Sequence, residues 1–323
     1  MSRSPVPHLS LPLPRCTVPA GAAELEEQAY RWALDRGLVD ERGYRRLVAS
    51  RIVLCGTGYF GDDPGPRAET ISRWYVWLVL LDDFVDDELG PVAVDEHRAV
   101  LDTLLAELDA IFRGDPAEPS HPLTLAVAQD LWPGVSAGTT PAWRARFARD
   151  CRRMTESIWW HARVRSGQTG PVGEAVYLDR RRESIGAAIF CDMLEVLLGL
   201  SLDERFFDGP EYRGLVDAVF DTAGWVNDLW SAPKDAEAGE VNLVFLVAAR
   251  GGTPWRDCLG DVAALIEARA GDFAALQAAL PRALRDRGFD DHDVGQAVLF
   301  ASRLALMIRA CVDCHVISGR WAG

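Results

Sequence analysis

A cluster of carboxylates follows directly on an apolar segment about a quarter of the way along the chain. The segment Val76–Leu81 is wholly apolar, and the acidic side chains that come next are Asp82, Asp83, Asp86, Asp87 and Glu88. On a helix, Asp82 and Asp86 lie one turn apart on the same face, where like charges are destabilising unless a cation neutralises them. Oxygen ligands without histidine or cysteine suit Mg²⁺, which completes its shell with water and phosphate oxygens. The spacing therefore predicts a magnesium site, with a solvated acidic helix end as the alternative.

A second group of oxygen-bearing side chains occurs in the segment Gly224–Val244. Asn227, Ser231 and Asp235 recur at intervals of four residues, so a helix would place all three on nearly one face. Amide, hydroxyl and carboxylate oxygens together form another ligand set for a hard cation. The small residues Ala223 and Gly224 precede this group, and they predict space for a ligand beside the helix.

Lys234 stands next to this second group and is the one lysine in the chain. Every other member of the 34 basic residues is arginine. A lysine ammonium binds phosphate as a compact point charge, whereas an arginine guanidinium binds it as a flat fork. The position of Lys234 therefore indicates a phosphate partner, with chance placement as the alternative.

The segments that must position these side chains all carry helical patterns. Apolar residues recur at three- and four-residue spacing in Ala22–Arg36, Val94–Phe112 and Trp143–Arg165, and alternating strand patterns are missing from the sequence. Clusters of Pro and Gly predict the loops Gly61–Pro66, Arg113–Pro122, Trp132–Pro141, Ser166–Gly173 and Arg250–Trp255. The pattern predicts an all-α bundle of about ten or more helices.

The domain organisation predicted from this pattern is simple. Residues 1–20 are rich in proline and are predicted to be an extended N-terminal segment, and residues 21–323 are predicted to form a single α-helical domain. Trp74–Leu81 is apolar on every side, which is typical of a helix at the centre of a bundle. The acidic cluster is therefore predicted to lie at the mouth of the core.

Composition excludes several classes of protein. The 323 residues carry a net charge of −14 and form no basic stripe, which argues against a nucleic-acid partner. No apolar run reaches the roughly 20 residues of a membrane span. Seven scattered cysteines and the lack of a signal peptide predict a reducing, cytoplasmic location. Metal ions could still let an acidic protein bind an anionic substrate.

Taken in chain order, four motifs resemble the class I terpene synthase family, specifically its bacterial terpene cyclases. Asp82-Asp83-x-x-Asp86 is similar to the aspartate-rich motif, and Asn227-Asp228-x-x-Ser231-x-x-Lys234-Asp235 is similar to the second metal motif. Arg181, in a run of three arginines, lies 46 residues before Asn227, as expected of the diphosphate-sensing arginine. Arg320-Trp321 stands where the family has a terminal Arg-Tyr pair. The resemblance extends over nearly the whole chain, since Leu11–Val39 is also similar to the family's N-terminal segment.

Three residues depart from the family pattern. Asp235 replaces a glutamate, so its carboxylate reaches about one methylene less far. Pro233 lies inside the second motif and removes a helix hydrogen bond, which predicts a kink or an end of the helix there. Trp321 replaces the tyrosine and lacks its hydroxyl. These departures bear on the third metal and on the C-terminal contact.

The resemblance implies a single class I terpenoid synthase helical bundle around a central cavity, and ionisation of a prenyl diphosphate followed by cyclisation of the carbocation. It implies three Mg²⁺ ions, held by Asp82, Asp86, Asn227, Ser231 and Asp235. The implied catalytic residues are Asp82, Asp83, Arg181, Lys234 and Arg320, and the implied diphosphate-binding residues are Arg181, Asn227, Lys234 and Arg320. The candidate substrate-pocket residues are Tyr75, Leu78, Val79, Ile185, Phe190 and Phe220.

The sequence leaves alternatives open for the substrate and for the function. Farnesyl diphosphate (C15) is favoured as the commonest bacterial case, with geranylgeranyl diphosphate (C20) next and a C10 substrate also open. A chain-elongating prenyl transferase would carry a second aspartate-rich motif, and a protonation-initiated cyclase would carry DxDD; neither occurs. A non-catalytic helical scaffold that retains the fold is the more remote alternative. The product, its stereochemistry and a homodimeric state are left open by the sequence.

Overall fold

Every regular element in the described part of the chain is a helix. The computed structural model describes residues 6–60, 65–85, 94–116 and 118–317, and no strand forms among them. The α-helices, in chain order, are α1 (Ala22–Asp35), α2 (Glu41–Ser50), α3 (Leu54–Phe60), α4 (Gly65–Asp83), α5 (Val94–Arg113), α6 (Pro122–Ala126), α7 (Trp132–Ser136), α8 (Pro141–Arg165), α9 (Glu174–Ser184), α10 (Ala187–Leu198), α11 (Glu204–Phe207), α12 (Pro210–Ala238), α13 (Leu243–Gly251), α14 (Leu259–Asp286) and α15 (Asp291–Ile317). A π-helical turn (Val127–Leu131) and a 3₁₀ turn (Trp255–Cys258) connect some of them. The all-α prediction is confirmed.

The helices predicted from periodicity agree with the structure to within two residues at each end. Helices α1, α5 and α8 correspond to the three predicted segments. Helix α8 begins where a capping signal stands in the sequence, because the Thr140 hydroxyl accepts a hydrogen bond from the Trp143 backbone N–H at 3.0 Å. Pro141 occupies the first helical position, where a missing N–H costs nothing.

The loop predicted for Trp132–Pro141 is wrong in its first half, because Trp132–Ser136 forms helix α7. Pro133 stands in the first turn of this helix, where proline is tolerated. Gly134 lies against α4, and a Cβ at that position would come within 2.7 Å of Thr70. The Pro-Gly pair therefore serves close packing between two helices, a use of these residues that local sequence does not distinguish from a turn.

Helix α4 lies at the centre of the bundle, as its uniformly apolar sequence predicts. Trp74, Trp77 and Leu81 are completely buried. The two indole rings meet edge to face at 5.1 Å, and the Trp77 indole N–H donates to the Leu123 carbonyl at 3.1 Å. This packing fixes the axis of the helix that ends at Asp82 and Asp83.

Helix α12 is the longest helix of the described structure and carries the second group of oxygen ligands. It runs through Pro233 to Ala238, so the end of the helix predicted as one alternative at Pro233 is wrong. Helix α12 packs against α9, α14 and α15. Its position between these helices directs one face toward the end of α4.

The N-terminal segment contains no helix in its described part, residues 6–20. Leu9 and Leu13 are buried against the bundle. The backbone N–H of Ser10 donates to the Glu267 carboxylate at 2.6 Å, and the Cys16 thiol donates to the Leu306 carbonyl at 3.4 Å. The segment is therefore attached to helices from the other end of the chain.

None of the described helices has the length and hydropathy required to cross a membrane. The longest apolar candidate in the sequence, Leu299–Ile317, lies within α15. It carries Arg303, Arg309 and Asp313, and its apolar face packs against α3, α12 and α14.

Candidate active site

Two adjoining cavities meet near the end of α4. The inner cavity, of about 170 Å³, has mainly apolar walls, and the outer cavity, of about 110 Å³, is polar. Four residues line both: Asp82, Arg181, Ser184 and Asn227. A molecule with an apolar chain and a charged head would therefore have its junction beside these side chains.

The outer cavity brings together most of the predicted metal ligands. Asp82 comes from α4, whereas Asn227, Ser231 and Asp235 lie on one face of α12. The Ser231 hydroxyl donates to Oδ2 of Asp235 at 2.5 Å. Asp86, the remaining predicted ligand, lies outside the described residues.

The donor set fits a hard divalent cation. It offers carboxylate, amide and hydroxyl oxygens around one cavity and no sulfur ligand. Burial raises the pKa of the Asp235 carboxyl above its usual value, and hydrogen bonds from Ser231 and Asn242 oppose that rise. Among the residues that the structure describes, no three His, Cys, Asp or Glu side chains form a metal site on their own. The oxygens of Asn227 and Ser231 would therefore have to contribute to it.

Arg181 is held at the boundary between the two cavities. Its Nε donates to Asp228 at 2.8 Å, and its Nη2 donates to Oδ1 of Asn227 at 2.7 Å. Burial is the largest single influence and disfavours the charged guanidinium, but the surrounding acidic groups, with Asp228 foremost, together outweigh it and hold the pKa of Arg181 above its usual value. The residue therefore presents a fixed positive charge next to Asn227.

The neighbouring arginines point elsewhere. Arg180 pairs with Glu183 at 3.2 Å on the same helix. Arg182 makes two hydrogen bonds to Asp221, at 2.6 and 2.9 Å. Successive residues on a helix point about 100° apart, so only one of the three can face the cavities. The structure brings Arg181 to them, the same residue that the 46-residue separation selects.

Asp228 is a site residue that sequence reasoning missed, although it lies inside the second motif. Its carboxylate is buried and accepts hydrogen bonds from the Tyr177 hydroxyl at 2.6 Å, from Arg181 and from the Leu243 backbone N–H at 3.1 Å. Burial raises the pKa of Tyr177 far above its usual value, so that phenol stays a donor. Asp228 therefore anchors Arg181 and joins α9, α12 and α13. In the sequence, only its position next to Asn227 indicated that Asp228 belongs to the site.

Asn242 is a second missed residue, and it is completely buried. Its side-chain Nδ2 lies 2.7 Å from Oδ2 of Asp235, 2.8 Å from the carbonyl of Asp228 and 3.3 Å from the Ser231 hydroxyl. Its Oδ1 accepts from the Val244 backbone N–H at 2.8 Å and caps α13. An asparagine before an apolar helix predicts the cap, but nothing in the sequence indicates the contacts across to α12.

His161 also lines the outer cavity without having been singled out in the sequence. Its Nε2 lies 3.1 Å from the Ser184 hydroxyl, and its ring packs edge-on to Tyr177. Burial, reinforced by the charges of Arg181 and Arg165, lowers the pKa of His161 to about 3. The imidazole is therefore neutral near pH 7.

Five of the six predicted pocket residues line the inner cavity: Tyr75, Leu78, Val79, Ile185 and Phe190. The rings of Tyr75 and Phe190 stack at a centroid distance of 3.7 Å and an angle of 14°. Phe220 is not among the residues that line the inner cavity; Val219, Ala223 and Asn227 line it from α12. Phe220 is one position along from Val219 and therefore points about 100° away.

Helix α15 supplies a wall of the inner cavity that the sequence did not reveal. It contributes Met307, Ile308, Cys311, Cys314 and His315. The His315 Nδ1 lies 2.7 Å from the Cys311 carbonyl, and burial raises the pKa of the Cys311 thiol well above its usual value. None of the seven cysteines forms a disulfide. These residues lie 72 or more positions beyond Asp235, the end of the second metal motif, and no motif links them to it, so spacing could not connect them.

Asp83 and Gly224 are placed differently from their predictions. Asp83 lines a separate groove with Arg46 and Lys234, outside both cavities, because it is one helical position away from Asp82. The space beside Gly224 is taken by the stem of Arg181, whose Cγ would lie 3.0 Å from a Cβ at that position. A protein side chain therefore fills the room that was predicted for a ligand.

Lys234 is exposed and lines both the outer cavity and the groove beside Asp83. A lysine at this position can turn its ammonium toward an anion in the cavity. Arg320 and Trp321, predicted for the C-terminal contact, lie outside the described residues.

Comparison with known proteins gives one family model, described as terpene synthase family 2, C-terminal metal binding, which matches residues 73–272. The chain is 26% identical over 272 residues to pristinol synthase from Streptomyces pristinaespiralis, across 83% of this chain and 72% of that protein. It is 26% identical over 315 residues to pentalenene synthase from Streptomyces arenae, across 96% of this chain and 91% of that protein.

Solved structures show the same arrangement of helices. The a-eudesmol synthase structure superposes with a TM-score of 0.83 at 20% identity and covers 97% of this chain and 99% of that one. Germacradien-4-ol synthase from Streptomyces citricolor superposes with a TM-score of 0.82 at 22% identity, with coverage of 97% and 99%. These likenesses establish the helical terpenoid synthase fold.

Proposed function

The chain belongs to the terpene synthase family, as its motifs predicted, and from that membership we propose that it is a Mg²⁺-dependent cyclase of farnesyl diphosphate. The observation that carries this proposal is the meeting, at Asp82, Arg181 and Asn227, of an apolar cavity with a polar one that is lined by both acidic and basic side chains. A prenyl diphosphate has a charged head and an apolar chain, so it matches both compartments at once. Its reacting C–O bond would lie at their boundary.

The outer cavity would hold the metal and the diphosphate. Asp82, Asn227, Ser231 and Asp235, with Asp86 as the further ligand, would hold Mg²⁺; three ions are proposed, as in the family. Bound Mg²⁺ would supply Lewis acidity that neutralises charge on the leaving diphosphate. Asp228 keeps Arg181 charged and oriented, so that its guanidinium adds hydrogen bonds to the same oxygens. Lys234 and Arg320 are proposed to add positive charge.

The inner cavity would receive the allylic cation. Its apolar walls exclude water, which would otherwise capture the cation. The stacked rings of Tyr75 and Phe190 present a π-face that stabilises positive charge. Val219 and Ala223 leave room beside α12 for the folded chain. These residues, rather than the metal site, would set the product.

The choice of a C15 substrate rests on the filling of this cavity. The stacked rings of Tyr75 and Phe190 line this cavity, and we propose that they limit the length of chain that it accepts. Leu78 and Val79 are slimmer than aromatic residues and leave a C20 chain as the competing substrate. The function test must therefore compare chain lengths directly.

The test is turnover of geranyl, farnesyl and geranylgeranyl diphosphate, each with Mg²⁺ and each with EDTA, followed by assays of released diphosphate and volatile product. We expect cyclic C15 product from farnesyl diphosphate with Mg²⁺ and none with EDTA. Full turnover in EDTA would contradict metal-assisted ionisation. Elongation that requires isopentenyl diphosphate would indicate a transferase, and no reaction with any substrate would indicate a scaffold.

A further inference from the structure

Asn242 connects two helices through a single side chain. It is the cap of α13, yet its amide nitrogen reaches α12 and contacts groups of three residues there, Asp228, Ser231 and Asp235. Two of these distances, to Asp235 and to the Asp228 carbonyl, are short enough for one full hydrogen bond each. An amide nitrogen has two hydrogens, so these two acceptors use its capacity and the contact to Ser231, at 3.3 Å, is weaker.

Both hydrogen bonds to the Asp235 carboxylate go to the same oxygen atom. Oδ2 accepts from both Ser231 and Asn242, at 2.5 and 2.7 Å. Oδ1 has no hydrogen-bond partner among the residues that the structure describes, and Asp235 lines the outer cavity. A carboxylate held by one oxygen presents the other in a fixed direction.

We propose that Asn242 is a positioning residue for the second metal group, which holds Asp235 by Oδ2 so that Oδ1 is available to a divalent cation. The inference rests on the proposed function, because it assumes that Asp235 binds a metal. The side chain of aspartate is one methylene shorter than that of glutamate, so its carboxylate has less freedom to find the metal by its own rotation. The amide of Asn242 fixes the direction in which this short side chain presents its free oxygen, in the way that outer hydrogen bonds orient metal ligands generally.

A second role of Asn242 must be separated from the first. Its Oδ1 caps α13, so replacement by alanine would remove both the cap and the donor. Aspartate and serine also cap helices well, but neither has an amide N–H. Asn242→Asp therefore keeps the cap and places a second carboxylate against Asp235. Asn242→Ser keeps the cap and leaves Asp235 without this donor.

The experiment measures Mg²⁺ binding in two ways. The first is the rise in melting temperature given by Mg²⁺ together with inorganic diphosphate. The second is the Mg²⁺ concentration that gives half-maximal turnover of farnesyl diphosphate. We expect Asn242→Ser to need about tenfold more Mg²⁺, and Asn242→Asp still more, since loss of an outer hydrogen bond costs roughly 10–100-fold in metal affinity.

Thr140→Ala is the matched control. Thr140 caps α8 at the end of that helix remote from the outer cavity, so its loss lowers the melting temperature without changing the Mg²⁺ requirement. A wild-type Mg²⁺ response in both Asn242 variants would overturn the positioning role and leave Asn242 as a cap. Failure of both variants to fold, while Thr140→Ala folds, would also overturn it. If the wild-type protein itself shows neither Mg²⁺-dependent stabilisation nor turnover, the proposed function has failed first.

Discussion

At the scale of single residues, hydrogen bonds within the protein fix the charged guanidinium of Arg181 at the outer cavity. Arg181 is restrained by Asp228 on one side and by Asn227 on the other. Asp228 is in turn fixed by Tyr177 and by the start of α13. A guanidinium held in this way loses little rotational freedom when it binds a diphosphate, so more of its hydrogen-bond energy is available for binding.

Arg181→Lys should lower turnover by about 10–100-fold while the protein stays folded. Lysine keeps the charge but cannot reproduce the fork, and a hydrogen bond to a charged group is worth roughly 1.5–3 kcal/mol. Arg180→Lys and Arg182→Lys should change turnover by less than about threefold, because both side chains are only partly exposed, pair with Glu183 and Asp221, and line neither cavity. Product yield and diphosphate titration in the presence of Mg²⁺ measure the effect. If Arg182→Lys were the most damaging variant, the assignment of the cavity-facing arginine would be wrong.

Asp82→Asn and Asp83→Asn form a second comparison of neighbours. Asp82 lines both cavities, whereas Asp83 lines the groove toward α2. Loss of a metal ligand should remove several kcal/mol of transition-state stabilisation, which is about a thousandfold in turnover. Asp83→Asn should cost less than about threefold in kcat. Equal losses in the two variants would show that the face of α4 has been assigned wrongly.

The sequence was sufficient to group the oxygen-bearing side chains of the second motif, and insufficient to find the residues that hydrogen-bond to them. A spacing of four residues predicts a shared helical face whatever the tertiary structure, so Asn227, Ser231 and Asp235 could be grouped from the chain alone. Asn242 reaches its partners only because α13 folds back on α12. The placement of Phe220 could not be predicted for a related reason, since periodicity does not tell which side of a buried helix faces a cavity.

At the scale of elements, the packing of α9 on α12 determines where Arg181 lies. Gly224 allows this approach, since the stem of Arg181 occupies the space above its Cα. Glycine inside a helix costs about 1 kcal/mol relative to alanine. Its presence here is explained by the close contact between the helices and not by backbone conformation, because its φ is ordinary.

Gly224→Ala should therefore separate stability from activity. The added methyl meets the Cγ of Arg181 at 3.0 Å and displaces the side chain by a few tenths of an ångström. We expect a melting temperature equal to or above that of the wild type, with kcat lowered by about tenfold, because small displacements of positioned groups are costly. Gly271→Ala is the control, since it lies in α14 with open space around it and should change stability alone. Unchanged kcat in Gly224→Ala would show that the position of Arg181 is not critical.

Helix existence was more predictable than the use of Pro and Gly at helix ends. Long periodic segments such as α1 and α8 were read correctly, since many residues contribute to the signal. Trp132–Ser136 was read as a loop because proline in a first turn and glycine at a helix contact have the same local sequence as a turn. The contact of Gly134 with Thr70 distinguishes a helix contact from a turn, and Thr70 is close in space but distant in the sequence.

At the scale of the whole molecule, the inner cavity is assembled from distant parts of the chain. Its walls come from α3, α4, α9, α10, α12 and α15, together with Ile52 and Ile185. Apart from the 46-residue separation of Arg181 and Asn227, no recognisable spacing joins these elements, which is why the contour of the cavity could not be predicted. The polar cavity could be predicted more fully because two local motifs contain most of its ligands.

Phe190→Leu should change the products more than the rate of ionisation. The substitution removes the ring stacked on Tyr75 but keeps an apolar side chain of moderate volume. We expect a new distribution of volatile products by gas chromatography, with diphosphate release within about threefold of the wild type. Phe147→Leu is the control, since Phe147 is completely buried outside the cavity lining and should affect melting temperature only. An unchanged product profile in Phe190→Leu would remove the stacked pair from the group that steers the cation.

The small boundary between the two cavities has a consequence for how such a protein can diverge. Within the described chain, Asp82, Arg181, Ser184 and Asn227 are the positions shared by both compartments. Mutations elsewhere in the apolar walls can accumulate without affecting the groups that start the reaction. After gene duplication, one copy can therefore keep its ionising groups while the terpene that it makes changes. The same separation should make substitutions at the four shared positions rare, because a substitution there alters both the ionisation step and the product.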